Sequence, residues 1–545
     1  MSAPQVIKSA LKVFLCRNLC TSPLVVFFLS GCVGSYVGKS SLKTIGNYEA
    51  ELRQIEHTDL SDLSSEIPTP IESFEDVDPL APPAGSGQEI MAAKANELFE
   101  LSLEKAKQLA LRHNLGLQAM LVEPNLVSQK ISIEKSRFDA TFATSTGVEE
   151  NPLAGLQDYY SAFNGLVLNL PTGGQIAIGQ AYSAQKFGSW FSHNASAYNE
   201  LKIDQPLLVG AGTTIATAPI LIAQLQTNRS EAQTKLSMIE LLAQVEIAYW
   251  QLEASKRERI IHENQVKIAE TQLANARQLV EARIFTQAEL IRASAGLLAR
   301  KEALIVSTTA VRLLERRLKT LLQAPQLPIN QQTALSCTTQ WNTDGVKLDA
   351  TRLCLMAENQ RMELMNIELE LLINDVNRKL ARNSRFPDLQ MNMRFRDHLE
   401  GPYMDNEDYF VGASLSYPFG NRQSKALREA NRLERIKLLA SENDSKIRIH
   451  NEVLNAIDRL DRDWNRIIAS TRAALAAQQA FQAELEQNVA GRRTSTEVLE
   501  AAKFMADAEI QVIRSMADYA ISQVEIALAT GTILGANQVQ WQPAQ

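Results

Sequence analysis

Three residue patterns would give this chain a catalytic chemistry, and the sequence contains none of them. A zinc hydrolase would carry a His-Glu-x-x-His motif, a serine hydrolase a Gly-x-Ser-x-Gly turn, and an ATPase a phosphate-binding Walker loop. The 545-residue sequence has no such motif, and its six histidines are scattered. They are His57, His113, His193, His262, His398 and His450. We therefore expect no catalytic residues, no metal site and no cofactor.

A short glycine motif at residues 210–212 also fails as a nucleotide-binding site. Gly210 and Gly212 have the first spacing of a dinucleotide fingerprint, but Ile215 stands where the third glycine would be. The acidic residue that would bind a ribose is missing as well. We interpret this segment as a turn between a strand and a helix.

Cys32 lies where a covalent lipid attachment is expected. Three basic residues precede an apolar run over residues 24–29, which ends in Leu29-Ser30-Gly31-Cys32. Small residues before a cysteine suit cleavage by a signal peptidase, and this segment resembles the lipobox of bacterial lipoproteins. The apolar run is far shorter than the roughly 20 residues of a membrane-spanning helix. We predict a signal peptide at residues 1–31 and acyl chains such as palmitate on Cys32.

The residue after the lipidated cysteine predicts the destination. Position 33 is Val, not the Asp that retains many such lipoproteins in the inner membrane. The prediction is therefore the outer membrane, with the chain in contact with its lipid and extending into the periplasm.

Two further cysteines remain after the leader is removed. Cys16 and Cys20 leave with the signal peptide, so only Cys337 and Cys354 are left besides Cys32. In an oxidising periplasm this pair would close a disulfide worth about 3 kcal/mol. The alternative is two buried free thiols, and the sequence leaves both open.

Composition points to long helices and away from nucleic acid. The formal charge is −7 with a pI near 5.7 and no run of Lys or Arg, so we expect no nucleic-acid partner. Only 24 glycines and 18 prolines interrupt the 545 residues. Ten acidic residues lie between Glu49 and Asp78, followed by clustered prolines. Residues 32–95 therefore read as a flexible tether.

The most informative stretch runs from Phe386 to Arg422, where apolar and polar residues alternate with period two. Leu389, Met391, Met393 and Phe395 share one face, and Phe410 is the only large apolar residue out of phase. The opposite face carries six candidates for the lining of a pore: Gln390, Asn392, Arg394, Arg396, Ser414 and Ser416. A β-hairpin at about 387–419 would place these polar residues in water and the methionines in lipid. The alternative is an edge hairpin of a soluble sheet.

The same series of elements is predicted twice. Residues 96–325 read as a helix to about Phe138 bent at Pro124, four strands at about 138–206, a very long helix with heptad spacing, a tip at about 283–287 and a return helix. After a loop-like connector at 326–347, residues 348–535 read as a helix, the hairpin, a long helix, a tip at about 491–495 and a return helix, followed by a tail at 536–545. Pro206 and Pro418 stand at matching places in the two series, which supports an internal repeat.

Several short phrases, in their order and duplication, resemble the TolC-type outer-membrane efflux proteins over about residues 96–535. The phrases are 101–106, 205–208 with Gly210 and Gly212, 386–389, 417–419, Gly491 with 494–499, and 529–534. The resemblance implies an α+β fold: a long coiled-coil-like α-helical barrel plus a transmembrane β-barrel, with two internal structural repeats, assembled as a trimer. It also implies a passive duct for efflux or type I secretion, working with a periplasmic adaptor (membrane fusion) protein and an inner-membrane pump.

The resemblance further implies that the two helical tips bind the adaptor and gate the duct. The residues concerned are Arg283, Ile284, Phe285, Thr286, Gly491, Arg492, Arg493 and Thr494. The sequence departs from the family pattern in two ways. The first tip lacks the glycine of the second, and the first repeat holds two hairpins instead of one. Either the barrel is wider, or some strands lie outside the bilayer. The alternative function is a structural coiled-coil outer-membrane lipoprotein without an open pore.

Overall fold

The computed structural model describes residues 98–150, 157–187, 193–283, 286–330, 333–342, 344–400, 407–489 and 492–536. The predicted signal peptide, Cys32 and the acidic tether lie outside these residues. So do Ile284, Phe285 and Gly491 of the two predicted tips, and the tail from residue 537.

The first half contains five strands and five helices among the described residues. They are β1 (Leu98–Leu101), α1 (Leu103–His113), α2 (Leu115–Lys135), β2 (Thr141–Glu150), β3 (Gln157–Asn169), β4 (Gln175–Phe187), β5 (His193–Pro206), α3 (Thr213–Ala216), α4 (Ala218–Glu281) and α5 (Gln287–Leu322). A single 3-10 turn, Ser136–Phe138, follows α2.

The second half has three described strands and five helices. They are β6 (Ala334–Cys337), α6 (Ala350–Gln360), α7 (Met362–Asn383), β7 (Asp388–Glu400), β8 (Glu407–Ser416), α8 (Arg422–Val489), α9 (Ser495–Ala529) and α10 (Ile533–Ala536). No helix among the described residues is both long enough and apolar enough to cross a membrane.

Six of the strands form one antiparallel sheet in the order β2-β3-β4-β5-β7-β8. All four strands expected between residues 138 and 206 are present in it, and the hairpin expected near 387–419 forms β7 and β8. Gly173, at φ 89°, allows the tight turn between β3 and β4 because a glycine has no Cβ to clash there.

A small second sheet was missed by the sequence patterns. β1 pairs in parallel with β6, which lies inside the connector that was expected to be a loop. Each strand has only four residues, too few to show a period-two signal, and the two strands belong to different halves of the chain. Leu101 and Leu335 of this sheet are fully buried in the main hydrophobic core.

Two helices expected to be continuous are interrupted instead. The helix from residue 103 breaks at Asn114, whose side-chain oxygen accepts from the Leu117 amide at 2.9 Å and caps α2, while Pro124, where a bend was expected, lies inside α2. The helix expected over 348–381 breaks at Arg361. There the guanidinium donates to the backbone oxygens of Leu528 and Ala529, at 3.3 and 3.2 Å.

The four longest helices, α4, α5, α8 and α9, hold about half of the described residues. α4 and α8 have 64 and 68 residues, which at 1.5 Å per residue is roughly 100 Å each. α4 packs between α5 and α9, and α9 packs between α4 and α8. The heptad expected in α4 is confirmed where Met238, Val245 and Leu252 are buried. His262, where the heptad lapses, is half-buried, and burial lowers its pKa.

Cys337 and Cys354 are free in this structure. Cys337 packs against the main core, while Cys354 packs against a separate cluster around Ile449 and Val453. The disulfide that the sequence left open is therefore not formed here. Burial raises the pKa of the Cys337 thiol to about 12 and also raises the pKa of Cys354.

Candidate functional site

The candidate site is the polar face of the six-stranded sheet. The backbone register places Asn392 opposite Asp204 and Arg396 opposite Glu200. The Asn392 Nδ2 donates to Asp204 Oδ1 at 2.6 Å, and the Arg396 Nε donates to Glu200 Oε2 at 2.8 Å. The polar residues of β7 are thus paired with charged residues of β5 on the same face.

Arg394 has an aromatic neighbour on this face. Its guanidinium lies 5.4 Å from the centre of the Phe410 ring, an attractive cation–π geometry. The ring also covers Gly412, where an added Cβ would lie 2.7 Å from it. The out-of-phase Phe410 is therefore explained: it points to the polar side, under an arginine and over a glycine.

The remaining pore-lining candidates share this face. Gln390 is opposite Ser414 in the β7–β8 register, and Asp388 is opposite Ser416. Gln390 donates to Asp388 at 3.3 Å, while both serines are exposed. The register thus brings all six candidates to one side of the sheet.

The other face of the sheet is mainly apolar and open, although the register also places Thr144, Asn164, Gln180 and Asn199 on it. Its exposed side chains include Tyr409 at 84%, Phe142 at 68% and Leu415 at 67% relative exposure. Further exposed members are Val148, Leu166, Ile178, Tyr182 and Val411. Monomeric soluble proteins rarely expose a continuous apolar surface of this extent. Exposed apolar side chains of this kind would be stable against the hydrocarbon of a lipid bilayer.

Two facing glycines let the backbones of β3 and β4 approach each other closely. Gly165 on β3 is opposite Gly179 on β4, on the polar face. A Cβ added to either residue would lie 2.6 Å from the Cα of the other, closer than real Cβ atoms approach. Only glycine therefore fits at these two positions, as is common where a strand bends or two backbones come close.

The long helices present free edges with regularly spaced apolar residues. In the half near the tips, the packing order is α5, α4, α9 and α8, so α5 and α8 are the outer helices. On α5 the exposed residues Ile291, Leu298 and Ile305 are seven apart. On α8 exposed residues also follow a seven-residue spacing, with one interruption: Ile447, Leu454, Ile468 and Leu475. A seven-residue apolar stripe on an outer helix is typical of a seam with another helix.

Exposed apolar residues at regular spacing also lie on an outer helix nearer the sheet. There α2 packs on α4 and α7 packs on α8 and α4, which leaves α2 and α8 outermost. Exposed apolar residues on α2 are spaced seven or four apart: Leu115, Val122, Leu126 and Ile133. Both edges of the helical part therefore lack a partner among the described residues.

The two helical tips contact each other at the start of α5 and α9. The Thr496 hydroxyl donates to Glu289 Oε2 at 3.2 Å, which sets the tips at the same level. Arg493 binds Glu484 and Glu497, at 3.1 and 2.7 Å. Thr494 caps α9 in a reciprocal pair with Glu497.

Arg492 and Arg493, which were expected to act together at the second tip, differ in their contacts. Arg493 is held within its own tip, whereas the Arg492 side chain is exposed. Arg283 is also exposed and adopts φ 62°, a left-handed conformation in which glycine is the usual residue. Thr286 is exposed beside it.

A family model matches part of the sequence, and several solved structures match the fold. Residues 354–532 match the family model described as outer membrane efflux protein. That segment, about a third of the chain, is similar to outer-membrane efflux proteins. A comparison with curated protein sequences finds no match.

Solved structures extend the likeness over most of the chain. The outer-membrane channel OprN matches with a TM-score of 0.60 at 16% identity, covering 79% of this chain and 90% of that one. CmeC of Campylobacter jejuni matches with a TM-score of 0.61 at 13% identity, over 79% and 85%. The open state of MtrE from Neisseria gonorrhoeae matches at 0.60 and 16%, over 79% and 89%. At these identities the likeness establishes the fold, and it confirms the resemblance to outer-membrane efflux proteins.

Two parts of the site were missed from sequence. The charged partners Glu200, Lys202 and Asp204 alternate with period two, so their shared face could have been found. The stripes on α5 and α8 could have been found by extending the heptad search beyond α4. Whether a given heptad stripe is buried or exposed, however, depends on how the helices pack, and only the structure shows this.

Proposed function

We propose that this chain is the outer-membrane channel of a tripartite efflux or type I secretion system. Three copies form a passive duct from the periplasm to the outside, with no bond made or broken by the protein. Acyl chains on Cys32 anchor each copy to the outer membrane. A periplasmic adaptor docks on the tips and connects the duct to an inner-membrane pump, which supplies the energy.

The observation that carries this proposal is the two-sided sheet. One face holds paired charges such as Arg396 with Glu200, and the other exposes large apolar side chains. A charge in hydrocarbon costs several kcal/mol, whereas the same charge facing water costs little. A wall with lipid on its apolar side and a water-filled lumen on its polar side satisfies both faces. The pore-lining role of Gln390, Asn392, Arg394, Arg396, Ser414 and Ser416 follows from this.

The free edges support an assembly of several copies. Both β2 and β8 have one neighbour each in the described sheet, and backbone groups without hydrogen bonds are not tolerated in lipid. A ring of copies covers them. The helical edges support the same ring, with α8 of one copy against α5 of the next.

Matching depths along the helices support that seam. The end of each helix nearest the tips is Gln287 for α5 and Val489 for α8. Measured from these two ends, Ile305 and Ile468 lie within about one helical turn of the same depth. Leu298 and Leu475 agree equally well, so the two stripes lie at similar distances from the tips. We take the number of copies as three from the resemblance to the TolC-type family.

The predicted repeats fit the same duct. Residues 96–325 and 348–535 would each supply strands and a pair of long helices, joined by the connector at 326–347. The tips at 283–287 and 491–495 would form the periplasmic entrance. Opening would be a change between two helix packings that the adaptor biases.

Conductance across a planar bilayer tests this function. Purified full-length protein should give discrete current steps once its entrance is open, and the steps should need the assembled form. As a matched control, the Ile305→Asp, Ile468→Asp variant should remain monomeric and silent, because a charge in the apolar seam opposes assembly. Assemblies that never conduct, even with an adaptor present, would favour the coiled-coil lipoprotein without a pore.

A further inference from the structure

The two outer strands of the sheet have the same length. β2 and β8 both have ten residues, close to the about 9–11 that cross a bilayer as a tilted strand. Because every neighbouring pair in the sheet is antiparallel and the sheet has six strands, β2 and β8 run in opposite directions. The β8 edge of one copy is therefore oriented to pair antiparallel with the β2 edge of another.

The first hairpin is continuous with the rest of the sheet. β3 pairs with β4 along its whole length, from Gln157 to Asn169. The apolar face continues onto it through Leu166 and Phe142, both exposed. The turn after β3 is fixed to the base of the sheet, where the Gly212 amide donates to the Thr172 oxygen at 3.0 Å. The first hairpin is thus held to β4 along the whole length of β3.

The backbones of β3 and β4 also come close together at this junction. The facing glycines Gly165 and Gly179 permit that approach on the polar side. Glycines inside strands often mark a bend at a barrel corner or a close approach of two backbones. Their position is therefore consistent with a barrel wall that continues from β4 into the first hairpin.

We propose that all four strands of the first half belong to the barrel wall, and that β2 of each copy pairs with β8 of the next. This inference rests on the function proposed above, with three copies in the ring. Six strands from each of three copies make a barrel of 18 strands. The partner of each free edge is thus a second copy of this chain.

The register of the sheet is consistent with closure. A row of paired residues starts at Thr141, the first residue of β2, and passes Val167, Ala177, Lys202 and Arg394 to Phe410. Phe410 lies six residues before Ser416, the last residue of β8. If the ends of β2 and β8 of neighbouring copies are level, the stagger is six residues across the six strands of one copy, or one residue per strand. With a rise of about 3.3 Å per residue and a spacing of about 4.8 Å between strands, this stagger gives a strand tilt of about 35°, within the range of membrane barrels.

The consequence is a wide outer exit. With this spacing and tilt, 18 strands give a barrel roughly 35 Å across between backbones, whereas four strands per copy would give roughly 24 Å. The first hairpin thus widens the barrel by about half. Its polar face carries the small residues Ala143, Ser145, Gly147 and Gly165, and the Phe163 ring lies on the same face beside Gly165.

Cross-linking between copies tests this inference. With level ends, Thr141 of one copy lies beside Ser416 of the next, so Ala143 lies beside Ser414. The full-length Ala143→Cys, Ser414→Cys variant should form covalent trimers with a short bis-thiol reagent. If the wall instead began at β4, the same reasoning would place Ala177 beside Ser414. The Ala177→Cys, Ser414→Cys variant is the matched alternative and should not cross-link, because those positions would be about 16 Å apart, three strands across and two residues along.

A third pair separates failure of this inference from failure of the proposed function. The Ile305→Cys, Ile468→Cys variant reports the helical seam alone and should cross-link in either barrel. A helical link together with a 177–414 link, or with no 143–414 link, would overturn the 18-stranded barrel and leave the duct standing. No link at any of the three pairs would overturn both. An averaged image of the assembly in a nanodisc, showing 18 strands and not 12, should accompany the 143–414 link.

Discussion

Arg396 donates from Nε to the Glu200 carboxylate at 2.8 Å across the junction of β5 and β7. The same guanidinium lies 4.4 Å from the centre of the Tyr198 ring. The pair joins β5 of the first half to β7 of the second half, where the two halves of the six-stranded sheet meet. Both residues of the pair lie on the polar face of the sheet.

The first prediction concerns this pair. Arg396→Met should destabilise the folded barrel by about 1–3 kcal/mol, because it leaves the partly buried Glu200 carboxylate without its partner. Glu200→Gln added to it should recover much of the loss. Heat-dependent mobility on gels measures each variant, and the double-mutant cycle should give a coupling of about 1–2 kcal/mol. Additive effects would show that the two side chains do not interact in the assembled protein.

The second prediction concerns pH at the second tip. The Thr494 backbone amide, and then Arg493, hold the pKa of Glu497 below its usual 4.5. A depressed folded pKa stabilises the cap above the unfolded pKa, and this stability is lost as pH falls through the folded value. The protection factors of the amides in the first turn of α9, which compare the observed exchange rate with the intrinsic rate at the same pH, should therefore fall below about pH 4. Thr494→Ala should speed amide exchange there about five-fold at neutral pH, while Thr494→Ser should not.

The third prediction separates the two tip arginines. Arg492→Glu should reduce export while leaving the assembly and the tip intact, because its exposed side chain has no described role in folding. Arg493→Glu should in addition loosen the tip, since it places a third carboxylate beside Glu484 and Glu497. Export of a pump substrate measures the first effect, and amide exchange at the tip measures the second. Normal export by Arg492→Glu would remove Arg492 from the docking surface.

The fourth prediction concerns the thiols. Cys337, with a pKa raised to about 12, should react with an alkylating reagent at pH 8 more slowly than Cys354. After denaturation without reductant, both should be alkylated completely, because they are free in the fold. Mass spectrometry of the intact chain counts the labels. Recovery of unlabelled, covalently joined cysteines would instead establish the disulfide.

Much of the fold could be predicted from local pattern. The alternation from Asp388 to Arg396 found β7 because one side of that strand is polar throughout, and the heptad from Met238 found α4 because its partners are buried. These signals arise because one face of each element is apolar, and the residues of that face recur at a regular spacing along the sequence.

The remainder depends on contacts between distant residues. Arg361 ends α6 because it reaches the carbonyl oxygens at the end of α9, far along the chain in the last long helix. β6 exists only because β1 is available to pair with it. The charge pairs of the polar face likewise depend on which strand lies beside β7, and no single segment contains that information.

Thiol modification at two adjacent positions of β8 tests most directly whether the polar face lines a water-filled duct. Ser414 lies on the polar face and Leu415 on the apolar face, so the two variants differ only in the side of the wall. In the conducting Ser414→Cys assembly, a charged, membrane-impermeant thiol reagent should react quickly and change the current step. In the Leu415→Cys assembly, lipid should shield the thiol and leave the current unchanged. Fast reaction at position 415 with none at 414 would contradict the assignment of the two faces, and with it the duct.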